Sequence, residues 1–106
     1  MRKNTVSSKS HSYSNYKIPA ALKLEATQVE SVLKSVRLFF LYQDNPPADQ
    51  IIVYPQSVHR DEDDTNSIVA TVKLVKDYCG AKSHKISVRF SVNKAFNCLP
   101  DTLEYV

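Results

Sequence analysis

Between residues 67 and 92 the chain alternates apolar and polar residues twice with a period of two, and this limits its fold more than any other feature. In the second run Ile86, Val88, Phe90 and Val92 alternate with Lys85, Ser87, Arg89 and Ser91. Side chains of a strand point alternately to opposite faces, so this segment has one apolar and one polar face. In the first run Ile68, Ala70, Val72 and Leu74 share one face, and Val69, Thr71, Lys73 and Val75 share the other. Asp77 to Ser83, with the chain's single glycine at Gly80, separates the two. The pattern predicts an antiparallel hairpin of strands 67–76 and 84–92. Its apolar face needs a covering layer.

Val29, Val32, Leu33, Val36 and Phe40 recur at helical spacing and supply that layer, with Glu30, Ser31, Lys34, Ser35 and Arg37 off the stripe. Thr27-Gln28-Val29-Glu30 matches a capping box with Thr27 as the N-cap. Asp44-Asn45-Pro46-Pro47 ends the helix. The last turn departs from the stripe. At roughly 100° per residue Leu38 lies about 180° and Leu41 about 120° from Val29, so Leu38-Phe39-Phe40-Leu41-Tyr42 is apolar nearly all round. Either something covers this collar or Val36 to Tyr42 is a strand.

Two shorter strands are expected. Leu22, Leu24 and Ala26 alternate with Lys23 and Glu25 after Pro19, and Ile51-Ile52-Val53-Tyr54 is β-branched and stopped by Pro55. His59 to Asn66 reads as a polar loop. Phe96, Leu99, Leu103 and Tyr105 add apolar residues near the C-terminus, with a short helical turn expected before Pro100. The expected fold is a small two-layer α+β domain over residues 18–106, one helix on a mainly antiparallel sheet of about four strands.

Residues 1–17 carry Arg2, Lys3, Lys9 and Lys17, no acid, and little that a core could use, so they are expected to form a flexible basic tail. The net charge of +3 is uneven, with the stretch 73–94 at +5 and the stretch 18–72 at −4. No apolar run approaches the ~18 residues of a membrane span, and none follows the N-terminal basic residues as a secretory leader requires. The expected location is intracellular, with Cys79 and Cys98 as reduced thiols; an oxidising compartment would allow a bridge between them.

No catalytic or metal constellation emerges. Asp61-Glu62-Asp63-Asp64 lacks the alternating ligands and mid-loop glycine of a calcium loop, so these acids are expected in solvent. His11, His59 and His84 have no metal-ligand spacing, and a single glycine disfavours a glycine-rich phosphate loop. No cofactor and no enzymatic activity are expected.

The leading expectation is a protein-interaction or assembly domain. It would be a subunit of an oligomer or larger complex, of which a viral structural protein or an inhibitor are examples. Leu38, Leu41 and Tyr42 would face another protein or a second copy. The bland alternative has Phe96, Leu99 and Leu103 folding back over the collar. The alternative function is nucleic-acid binding through the tail and the basic hairpin. There Lys73, Lys85 and Arg89 share a face with Thr71, Ser87 and Ser91, while Lys76 and Lys82 sit near the turn. Against it, the sheet face is expected to have no aromatic residue on which a base could stack. Tyr13, Tyr16 and the tail serines are weaker candidates for a modified or partner-ordered motif.

Overall fold

The hairpin is the centre of the molecule. A computed structural model describes residues 18–43, 48–76 and 83–106; the basic tail, Cys79 and Lys82 lie outside the described residues. Strands β3 (Ser67–Val75) and β4 (Ser83–Ser91) pair antiparallel from Ser67 opposite Ser91 to Val75 opposite Ser83. Strand β1 (Gln50–Val53) lies on the far side of β3, and β5 (Glu104–Tyr105) on the far side of β4. With β2 (His59–Arg60) also pairing β3, the antiparallel sheet has five strands.

Helix α1 (Ala26–Leu41) covers one face of this sheet. Val32, Val36 and Phe40 point into a core with Ile51, Val53, Ile68, Ala70, Val72, Leu74, Val88 and Phe90. Burying each large aliphatic or aromatic side chain here is worth about 1.5–3 kcal/mol, enough for the stripe to seat the helix. Val36 to Leu41 is helical, and the Tyr42 N–H still donates to the Leu38 carbonyl at 3.0 Å. The strand alternative for this segment is thereby removed.

The helix starts two residues before the position read from the sequence. Glu25 is the N-cap: Gln28 Oε1 accepts the Glu25 N–H at 2.9 Å, while the Glu25 carboxylate takes the Gln28 N–H. A carboxylate with an amide three residues on satisfies the same orphan donors as Thr with Glu, and its charge suits a helix N-terminus. Thr27 is an exposed residue inside the helix. The strand expected over Ala20–Ala26 is absent: Ala20–Leu22 is a single 3-10 turn, and Ala26 opens α1. Leu22 is buried and Leu24 packs on the core without any pairing to the sheet.

His59 to Asn66 is also not wholly a polar loop. β1 and β2 are two pieces of one edge, paired to Val72–Val75 and to Ile68–Val69 of β3 respectively. Between them Pro55–Ser57 forms a 3-10 turn that interrupts the ladder. The segment after β4 turns at Asn93, whose Oδ1 accepts the N–H groups of Ala95 and Asn97. Phe96 there has φ of 61°, a left-handed conformation uncommon for a bulky residue, and its ring lies 5.6 Å from the Arg60 guanidinium carbon. Val92 bridges to Cys98, and a 3-10 turn at Pro100–Thr102, rather than before Pro100, leads into β5.

Candidate protein-docking surface

The last two turns of α1 present two different surfaces. Phe40 is fully buried and Phe39 meets it edge-on, with ring centroids 5.1 Å apart. On the outer side Leu38 is 47% exposed, Leu41 37% and Tyr42 81%. All three residues proposed from helical geometry as a contact surface therefore lie in solvent.

The C-terminal segment does return to the helix, but as a wall and not as a lid. The Cys98 N–H donates to Ser35 Oγ at 2.8 Å, and that hydroxyl donates to the Val32 carbonyl one turn back at 3.2 Å. This pin holds residues 97–100 alongside α1. Phe96 and Leu103 pack against the core, while Leu99 stays 37% exposed. Between helix and segment lies a groove of about 690 Å³, with Leu38, Phe39 and Tyr42 facing Asn97 and Pro100. A second hollow of about 320 Å³ is lined by Lys34, Arg37, Leu38 and Leu41. Leu38 and Lys34 belong to both, so the two hollows are one surface. Asn97 and Pro100 were invisible as groove residues in the sequence, because they lie far along the chain from α1.

The basic hairpin face is divided. Arg89 is held by carboxylates: Nη1 lies 3.2 Å from Asp61 Oδ2, and Nε and Nη2 lie 3.0 and 2.7 Å from Glu104 Oε2. The Glu104 hydrogen bond, with a smaller contribution from Asp61, raises the Arg89 pKa above its ordinary range. Lys73 and Lys85 sit directly opposite one another in the register. Tyr54 joins them: Lys85 Nζ is 5.2 Å from its ring centroid. The expectation of a face without aromatics is therefore corrected. The ring comes from the neighbouring edge, where Tyr54 follows Val53, the partner of Val72. Lys76 is exposed just past the end of β3.

The acidic run is corrected as well. Glu62, Asp63 and Asp64 are exposed as expected, but Asp61 is fully buried. It serves the turn and the ion pair, its Oδ1 accepting the Asp63 N–H at 3.3 Å. Asp64 likewise accepts the Asn66 N–H and the Ser67 hydroxyl. His59 is fully buried, its Nδ1 2.7 Å from the Ser57 carbonyl oxygen, and burial pushes its pKa below the ordinary value. Cys98 is a buried free thiol, pushed up to about 11 by burial. Among the described residues no group of three or more His, Cys, Asp and Glu side chains could hold a metal ion, and no helix is long and apolar enough to cross a membrane.

The chain matches no family model, no curated protein and no solved structure, so the reading of its surface rests on its own geometry.

Proposed function

We propose that this chain is a non-enzymatic protein-interaction or assembly domain that docks a partner through the outer surface of α1 around Leu38, Leu41 and Tyr42. One observation carries the reading: the helix is seated by Val32, Val36 and Phe40, which leaves an aromatic and two leucines exposed beside a 690 Å³ groove. Contiguous apolar surface with a polar rim marks interaction sites, and exposed aromatics are enriched among binding hot spots. The test is paired aspartate substitution at Leu38 and Leu41, read by light scattering and by partner pull-down. A folded protein that has lost its partner or its assembly state supports the proposal. One that keeps both sinks it.

A second reading is nucleic-acid binding through Lys73, Lys76 and Lys85. The observation in its favour is Tyr54, an aromatic ring on the same face as the lysine pair. Arg89, engaged by Asp61 and Glu104, is the weakest of the basic candidates on this reading. Single-stranded oligonucleotide binding that falls steeply with salt, and is lost on charge reversal of Lys73 and Lys85, would support it.

A further inference from the structure

We infer that the segment received by the α1 surface is an acidic, apolar peptide of a partner protein, with carboxylates that meet Lys34 and Arg37 and apolar side chains that enter beside Leu38 and Phe39. The inference rests on the docking reading above and specifies its partner.

Among the described residues, the charged side chains that line the two hollows are of one sign. Lys34 lines both hollows and Arg37 lines one, and no Asp or Glu lines either. Both residues are exposed, and they stand one turn and one residue before Leu38 on the helix. Neither makes an ion pair among the described residues, although Glu30 lies four residues before Lys34 at a spacing that suits pairing. Two cations thus flank an apolar ridge and make no ion pair among the described residues. Across an interface such charges steer and select a partner of opposite sign.

The same arrangement argues against a second copy as occupant. A twofold contact sets the same patch on both subunits, so Lys34 and Arg37 of each copy would approach those of the other. Such like-charge juxtaposition is costly at an interface. An acidic apolar segment relieves it. Asn97 and Gln43 also line the groove, and an amide side chain carries both donors and acceptors for a peptide backbone.

The experiment uses the full chain and three short fluorescent peptides, in which Leu and Phe are interspersed with Glu, with Gln or with Lys, read by anisotropy. The Glu peptide is expected to bind, the Gln peptide about tenfold or more weakly, and the Lys peptide not at all. Lys34→Gln with Arg37→Gln should abolish the preference for Glu over Gln and flatten the salt dependence. Tyr42→Ala, at a residue too exposed to unfold the protein, should weaken the Glu peptide independently of salt. Equal binding of Glu and Gln peptides, both lost in Tyr42→Ala, overturns the acidic partner and leaves the docking reading standing. Binding of the Glu peptide that ignores Lys34, Arg37, Leu38 and Tyr42 overturns both. If no peptide binds and the chain is a dimer broken by Leu38→Asp, the occupant is a second copy and the inference is wrong. If no peptide binds a monomeric chain, it is wrong too.

Discussion

The Ser57 hydroxyl stands between Thr71 and Tyr54 as one rung of the sheet. The Tyr54 N–H donates directly to the Thr71 carbonyl at 3.1 Å, the half of an antiparallel pair that survives. The other half is bridged: the Thr71 N–H donates to Ser57 Oγ at 2.8 Å, and Ser57 Oγ donates to the Tyr54 carbonyl at 2.7 Å. The edge can therefore turn out at Pro55 while buried backbone groups of the central strand keep their hydrogen bonds.

Ser57→Ala removes that bridge inside the protein, since Ser57 is 1% exposed. Taking the acceptor from a buried N–H costs about 1–3 kcal/mol, and denaturant melts should show a loss in that range. A neutral substitution would mean that the bridge contributes nothing.

The observed cap makes a paired prediction. Glu25→Ala should destabilise the protein by about 0.5–1 kcal/mol, toward the lower part of the range for a lost N-cap. Thr27→Ala, at an exposed position within α1, should be neutral within about 0.5 kcal/mol or slightly stabilising, because alanine is the better helix former. Chemical denaturation of the two variants side by side distinguishes this cap from one at Thr27.

His59 ties stability to pH. Burial lowers its pKa in the folded protein, against smaller opposing effects from the Ser57 carbonyl, Asp61 and Glu62. Between the lowered folded value and the unfolded value of about 6.5, the unfolded chain binds a proton that the folded chain does not. Stability is therefore full above the unfolded value, declines as pH falls through this window, and levels off once the folded form also protonates. Urea melts as a function of pH should show the decline, and His59→Gln should remove this contribution to it. A wild-type stability that rises on acidification through the window would contradict the assignment.

Arg89 links two carboxylates of unequal burial. Asp61 is fully buried, whereas the Glu104 side chain is 56% exposed. Arg89→Met deprives buried Asp61 of its guanidinium and should cost about 1–3 kcal/mol. Glu104→Gln breaks only the exposed pair and should cost less than about 1 kcal/mol. Equal losses in thermal melts would show that the two pairs do not differ as their burial requires.

Period-two alternation determined the hairpin, since a strand with one buried face admits a single phase. The antiparallel pairing of β3 with β4, the helical stripe and the exposure of Leu38, Leu41 and Tyr42 were all legible in the residues. Each rests on contacts that repeat along one or two neighbouring elements. Other features arise from pairings distant in the chain, which no local pattern encodes. Leu22 and Leu24 alternate like a strand but find no neighbour to pair with. Asp61 reads as one acid among four, and the Arg89 guanidinium, twenty-eight residues away, helps make its burial tolerable. Tyr54 reaches the lysine pair across strand partners, and Asn97 with Pro100 becomes a groove wall because Cys98 is pinned to Ser35. Side-chain periodicity thus determined which faces are apolar. Tertiary packing alone decided which charges are paired within the fold, like Arg89 with Asp61 and Glu104, and which, like Lys34 and Arg37, make no ion pair among the described residues.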